Sequence, residues 1–175
     1  MVKLFLFDLD QTLLDSRSVS EAARVHDWDY VRRHLDKVKP HMGSNAVLAH
    51  KIPDQLKALG KVIGIITNSP RWYAQRLIEE FDITNDVLVS SCDCSRAKPD
   101  PEPIVRALQI CNRPSNDAIM IGDSADDRKA AENAAVRFVG ATWISQELTN
   151  CNNIEVIACP SKILNYARFG EAIDL

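Results

Sequence analysis

The chain has 175 residues and a formal net charge of −3. This length suits one full hydrophobic core and predicts a single domain over residues 1–175, while ordinary apolar and charged fractions argue against disorder. The weakly acidic balance gives no reason to expect binding to nucleic acid or to an anionic membrane surface. No apolar stretch approaches the length of a membrane span.

The cysteines and the first residues bear on the cellular compartment. The five cysteines are an odd number, and residues 1–3 lead directly into an apolar strand pattern instead of a secretory signal. We therefore expect reduced thiols and a cytoplasmic protein.

Short apolar runs alternate with longer helical patterns along most of the chain. Strands are predicted at 4–7, 62–66, 87–89, 118–121, 136–139 and 154–157. Helices are predicted near 56–59, 72–81, 104–108, 126–135 and 163–169. The alternation predicts an α/β fold, a three-layer doubly wound parallel sheet of Rossmann-like type. In such sheets the ligand site lies beyond the carboxyl ends of the strands.

The segment 16–50 interrupts this alternation. Val31, Leu35 and Val38 have the spacing of one short amphipathic helix. We expect a small helical, cap-like insertion after the first strand, not a second domain. Whether it closes over the site is left open by the sequence.

Two carboxylates, one residue apart, follow the first strand. The alternation of a strand places Asp8 and Asp10 on one side, where their repulsion raises a pKa or recruits a divalent cation. We interpret the pair as part of a hard-metal site in which one carboxylate attacks and the other moves protons. The alternative is a polar exit from strand to loop.

Other polar residues follow later strands, in keeping with a site at that edge of the sheet. Thr67 and Asn68 can donate hydrogen bonds to phosphoryl oxygens, and Lys98 can offset negative charge. Asp123 and Asp127 add carboxylates to a set of oxygen ligands that suits Mg²⁺. Phosphoryl transfer needs mainly positioning and charge stabilisation, and these residues supply both.

Together these motifs resemble those of the haloacid dehalogenase superfamily of aspartate-nucleophile phosphatases. Four family motifs occur in order: Asp8-Leu9-Asp10-Gln11-Thr12, a segment ending at Thr67, Lys98 within Ala97-Lys98-Pro99, and Gly122-Asp123-Ser124 followed by Asp127. The resemblance implies that Asp8 is the nucleophile of an aspartyl-phosphate intermediate and Asp10 the general acid and base.

The resemblance also implies roles for the remaining motif residues. Thr67 would hold the phosphoryl group, with Thr12 and Asn68 as further phosphate-binding residues, and Lys98 would neutralise Asp8 and that group. The metal would be Mg²⁺, bound by Asp8, the main-chain carbonyl of Asp10, and Asp123, with Asp127 close by. For Asp127 the alternative is favourable placement at a helix N-terminus.

The expected function is Mg²⁺-dependent hydrolysis of a small or larger phosphomonoester. Asp10 favours this chemistry over dehalogenation, because superfamily members that cleave carbon–halogen bonds usually lack a second aspartate. Gln11 stands where the family most often has glycine. This position is variable in the superfamily, so we expect retained activity, and the effect of the side chain on the loop and on access to the site is left open. The alternatives are a phosphotransferase or mutase of the same superfamily and a non-catalytic binding module. Substrate identity and oligomeric state remain open.

Overall fold

A computed structural model describes residues 2–41 and 48–169 of the chain. Its strands are β1 (Leu4–Phe7), β2 (Leu14–Asp15), β3 (Lys39–Pro40), β4 (Val62–Ile66), β5 (Val87–Val89), β6 (Ala118–Gly122), β7 (Arg137–Ala141) and β8 (Val156–Ile157). Six of them form one sheet in the order β5-β4-β1-β6-β7-β8, in which every neighbouring pair is parallel. The remaining two, β2 and β3, pair antiparallel.

The helices that connect the strands of the large sheet lie near the predicted residues, and two more lie in the insertion. They are α1 (Arg17–Arg24), α2 (Trp28–Arg33), α3 (Ile52–Ala58), α4 (Arg71–Glu80), α5 (Glu102–Ile110), α6 (Ala125–Asn133) and α7 (Ile163–Arg168). Both α3 and α5 carry a proline in the first turn, where a helix needs no backbone donor.

Two apolar layers lie on opposite faces of the sheet because side chains alternate along each strand. Phe5 and Phe7 of β1 belong to a core shared with α3, α4 and α7, whereas Leu4 and Leu6 belong to one shared with α5 and α6. All four side chains are fully buried. The predicted three-layer α/β architecture is confirmed.

The order of the strands determines where a site can form. After β1 the chain builds β4 and β5 on one side, and then returns to build β6, β7 and β8 on the other. This reversal leaves a crevice at the carboxyl ends of β1, β4 and β6, which is where ligands bind in open α/β sheets.

The insertion differs from the single helix predicted for it. It contains α1, α2 and a 3₁₀ turn at Leu35–Lys37, so the single-helix prediction was wrong. The side chain of Asp27 accepts a hydrogen bond from the backbone of Tyr30 and starts a new helix, directly after a left-handed residue, His26, with φ of 59°. Val31 and Val38 are nevertheless buried, as their spacing predicts. Residues 42–47 of the predicted insertion lie outside the described residues.

The last predicted strand is shorter than expected. Only Val156–Ile157 pair with β7, opposite Gly140 and Ala141.

All five cysteines are free thiols. Across 2–41 and 48–169, the structure contains no helix long and apolar enough to cross a membrane.

Candidate active site

A cavity of about 230 Å³ lies at the carboxyl ends of β1, β4 and β6. Every predicted site residue except Thr12 lines it: Asp8, Asp10, Thr67, Asn68, Lys98, Asp123 and Asp127. Residues from four separate parts of the chain therefore meet where the sheet topology places a ligand.

Three carboxylates form the floor of this cavity. Oxygen atoms of Asp8, Asp123 and Asp127 lie within 4.8 Å of one another, and all three residues are buried. Burial raises the pKa of Asp8 well above its usual range, opposed by Lys98 and reinforced by neighbouring carboxylates. Burial and the charge of Asp127 likewise raise the pKa of Asp123 to about 7. The ionised forms of Asp8 and Asp123 are therefore less stable in this cluster than they would be in water.

Lys98 is the cation that faces this carboxylate cluster. Its ammonium group lies 2.6 Å from Asp8 Oδ1 and 2.5 Å from Asp127 Oδ1, and it also donates to the carbonyl of Ile66 at 2.9 Å. Burial alone would lower the pKa of Lys98, but the two carboxylates outweigh burial and raise it. Lys98 is therefore charged and fully hydrogen-bonded, with all three donors used.

The Lys98 loop is braced by Asn68 at the end of β4. The amide of Asn68 donates to the carbonyl of Lys98 and accepts from its backbone N–H, both at 2.9 Å. Asn68 thus fixes the backbone that carries Lys98. The predicted contact of Asn68 with phosphate remains a prediction, as does that of Thr67, whose hydroxyl oxygen accepts from the backbone of Ser69 at 3.0 Å.

Asp127 combines both interpretations offered by the sequence. It is the third residue of α6 and forms a capping box with Ser124, whose backbone and hydroxyl donate to Asp127 Oδ2 at 3.1 and 2.6 Å. Its other oxygen accepts from Lys98. The helix cap therefore holds the carboxylate that positions the lysine.

Gly122 makes this arrangement possible. A Cβ at Gly122 would lie 2.5 Å from Asp127 Cγ, closer than real Cβ contacts allow. We expect Gly122→Ala to destabilise the protein by about 1–3 kcal/mol, and to weaken its stabilisation by added Mg²⁺, because Asp127 must move away from Lys98. Urea unfolding with and without Mg²⁺ measures both effects.

The matched control is Gly140→Ala in the neighbouring strand, whose Cβ would meet only side-chain ends of Val156 and Leu148 at 2.9 and 3.1 Å and the backbone oxygen of Glu155 at 3.6 Å. This variant should lose less stability and keep the Mg²⁺ effect. Equal behaviour of the two variants would contradict the role given to Gly122.

Thr12 is hydrogen-bonded to Asp123 in the structure. Its hydroxyl is fully buried and donates to Asp123 Oδ1 at 3.3 Å, while the indole of Trp143 donates to the Thr12 carbonyl at 2.8 Å. Thr12 does not line the cavity, so the predicted direct contact with phosphate has no support in this geometry. Trp143 follows β7 and carries no sequence signal for this role.

Asp10 lies in the same cavity as Asp8, but its carboxylate has different partners. The strand ends at Phe7, so the alternation assumed for the two aspartates does not continue to Asp10. Tyr73 and Ser69 donate to the two oxygens of Asp10 at 2.6 and 2.9 Å. The cluster of three carboxylates includes the carboxylate of Asp8 and not that of Asp10.

Gln11 has a left-handed backbone, with φ of 60°. Glycine adopts this conformation without strain, which explains in physical terms why it is common at this point of the family motif. In this chain the Gln11 side chain donates to Ser16 Oγ at 3.2 Å, and the bond ties the loop after β1 to the start of α1.

A second cavity, of about 340 Å³, opens beside Asp10 and is walled by the insertion. Val19, Ala23 and Trp28 supply apolar surface, and Tyr73 lies at its inner wall. The insertion therefore borders the site and offers space next to the predicted acid.

In the absence of a metal, the raised carboxylate pKa values predict how stability depends on pH. Protonation of Asp123 stabilises the folded state, fully below the ordinary value of 3.8, and this contribution is lost as pH rises through about 7. The raised pKa of Asp8 also makes the folded state less stable as pH rises. We expect the chelator-treated protein to be less stable at about pH 8 than at about pH 5.5.

Denaturant midpoints at the two pH values measure this difference. Asp123→Asn should reduce it, and Mg²⁺ should reduce it in the wild type by stabilising the ionised carboxylates. A pH dependence of the metal-free protein that Asp123→Asn leaves unchanged would show that ionisation of the cluster does not lower stability.

Comparison with known proteins identifies the family of the chain. Residues 18–141 match the family described as haloacid dehalogenase-like hydrolase. A phosphoglycolate phosphatase of Psychrobacter arcticus is 28% identical over 169 residues, which cover 90% of this chain and 73% of that protein. A pyrophosphatase of Bacillus thuringiensis is 31% identical over 91 residues, and the match spans 51% of this chain but only 42% of that protein.

A solved structure shows the same fold. The HAD phosphatase of Thermococcus onnurineus superposes with a TM-score of 0.73 at 18% identity, covering 98% of this chain and 100% of that one. With the family match extending over most of its length, the chain belongs to the haloacid dehalogenase-like hydrolases.

Proposed function

We propose that the protein is a Mg²⁺-dependent phosphomonoester hydrolase that acts through an aspartyl-phosphate intermediate. The observation that carries this proposal is Lys98, held between Asp8 and Asp127 at the edge of a buried carboxylate cluster. One cation faces three clustered carboxylates, which suits the addition of a divalent cation and a phosphate group. Named phosphatases among the relatives support the same reaction class.

The donor set fits Mg²⁺. The three clustered side chains offer only carboxylate oxygens. Burial raises the pKa of Asp8 and Asp123, so a bound hard cation would stabilise their ionised forms. Asp8, Asp123 and the carbonyl of Asp10 would hold the ion, while Asp127 acts through Lys98. When bound, Mg²⁺ would supply positive charge to the phosphoryl oxygens.

The chain's own residues divide the reaction into two steps. An oxygen of Asp8 attacks phosphorus while Asp10 gives its proton to the ester oxygen, so that the bond between that oxygen and phosphorus breaks and the alcohol leaves. Asp10 then takes a proton from water, whose oxygen attacks phosphorus and releases Asp8. Lys98 stays bound to Asp8 and offsets the negative charge of Asp8 and of the phosphoryl group that it attacks.

The insertion supports a proposal about substrate. Together with the core, segment 16–50 would act as a small cap on a single domain, and the organic part of the phosphate ester would enter the 340 Å³ cavity beside Asp10. Its volume and partly apolar wall suit a small molecule. The curated relatives named above, a phosphoglycolate phosphatase and a pyrophosphatase, are consistent with a phosphorylated small molecule as the substrate.

Phosphate release tests the proposal. Purified protein is assayed with 4-nitrophenyl phosphate and a panel of sugar, nucleotide and carboxylic-acid phosphates, with Mg²⁺ or with a chelator. We expect turnover that requires Mg²⁺ and releases inorganic phosphate in the same amount as the alcohol. Phosphate found on a second organic acceptor would identify a phosphotransferase, and absence of turnover on every ester would favour a binding module.

A further inference from the structure

The carboxylate of Asp10 is held on both oxygens by hydroxyl groups. Tyr73 donates to Oδ1 at 2.6 Å and Ser69 donates to Oδ2 at 2.9 Å. Neither donor belongs to the four motifs. Ser69 lies in the loop after β4, and Tyr73 lies in the first turn of α4. Two donors at opposite ends of a carboxylate fix its plane as well as its position.

Tyr73 is suited to a permanent donor role. Its side chain is buried, and burial together with the charge of Asp10 raises the pKa of its hydroxyl well above the usual range. Its ring lies against Trp28 of the insertion and Trp72 of its own helix, at centroid distances of 6.3 and 6.0 Å. The hydroxyl therefore keeps its proton and has a fixed position.

We propose that Tyr73 and Ser69 are positioning residues that hold Asp10 for proton transfer to the leaving alcohol. This inference rests on the proposed function. As the proton passes from Asp10 to the ester oxygen and the bond from that oxygen to phosphorus breaks, the carboxyl becomes charged. Hydrogen bonds to a charged acceptor are stronger, so both hydroxyls favour the transfer.

Leaving groups of different basicity test this role. A nitrophenolate leaves without a proton, whereas an alkoxide requires one, so only the alkyl ester depends on a correctly held acid. In Tyr73→Phe, we expect kcat/KM for the best alkyl phosphate substrate to fall roughly 10- to 100-fold. For 4-nitrophenyl phosphate we expect a fall below about threefold. Ser69→Ala should show the same selectivity.

The ratio kcat/KM reports only the steps up to formation of the phosphorylated enzyme, so the later proton transfer from water does not enter it. The matched control is Tyr166→Phe, which removes another buried hydroxyl bonded to a carboxylate, that of Glu155, away from the site. This control should leave kcat/KM unchanged for the alkyl phosphate and for 4-nitrophenyl phosphate. Equal losses on the two esters in Tyr73→Phe would overturn the inference while leaving the phosphatase proposal intact. A wild type that cleaves neither ester would instead remove the proposed function.

Discussion

Replacing Asp8 by asparagine should abolish phosphate release and, in the metal-free protein, should raise stability. The first effect follows because an amide cannot serve as the nucleophile, and we expect turnover to fall by about a thousandfold or more. The second follows because Asp8 is buried beside two other carboxylates, and burial raises its pKa. At neutral pH, removing its charge relieves repulsion that Lys98 only partly balances.

Both effects are measured on the same preparation. Phosphate release is followed with Mg²⁺, and urea unfolding is followed with a chelator at about pH 8, where the carboxylates are most fully ionised. Asp126→Asn is the matched control, since Asp126 lies beside the cavity in the first turn of α6 but is exposed and outside the cluster of three carboxylates. It should change both quantities far less than Asp8→Asn does. Turnover by Asp8→Asn close to that of the wild type would exclude Asp8 as nucleophile.

Lys98→Met should be the most destabilising single change at the site. Methionine leaves Asp8 and Asp127 buried without their cation, and removal of one partner from a buried ion pair costs about 3–5 kcal/mol. Phosphate release should be lost as well, because nothing replaces the charge at Asp8. Added Mg²⁺ should recover part of the stability, since a second cation then faces the carboxylates.

Lys61→Met provides the comparison for Lys98. Lys61 is also buried, but its ammonium group donates to the carbonyl of Val2 at 2.9 Å. This bond lies at the amino ends of β1 and β4, opposite the strand ends that carry the cluster. We expect a loss of about 1–2 kcal/mol for this control, with phosphate release preserved. Should Lys98→Met unfold at the same urea concentration as Lys61→Met, the charge balance described for the cluster is incorrect.

Local patterns predicted the sheet and much of the cavity lining. The strand at Leu4–Phe7 and the strand at Val87–Val89 occur at the predicted residues, because short apolar runs in a doubly covered sheet have few alternatives. Strand ends then fix where Asp8, Lys98 and Asp123 meet, since parallel strands bring their carboxyl ends to one edge.

Contacts between distant residues explain what the sequence did not predict. Thr12 was expected to bind phosphate, yet its hydroxyl donates a hydrogen bond to the carboxylate of Asp123. Tyr73 carries an ordinary core pattern, and only the packing of α4 against β1 brings it to Asp10. The insertion divides into two helices because the side chain of Asp27 caps the second, a local signal that the prediction from apolar spacing did not use.

If phosphate passes through Asp8, the aspartyl-phosphate intermediate can be trapped on that residue. The protein is mixed with 4-nitrophenyl phosphate and Mg²⁺, quenched in acid within the first turnover, reduced with borohydride and analysed by peptide mass spectrometry. Borohydride reduces an acyl phosphate to an alcohol, so we expect a mass change confined to Asp8 that is absent without substrate. Turnover with no modified aspartate, or with the change at Asp10 or Asp123, would contradict it.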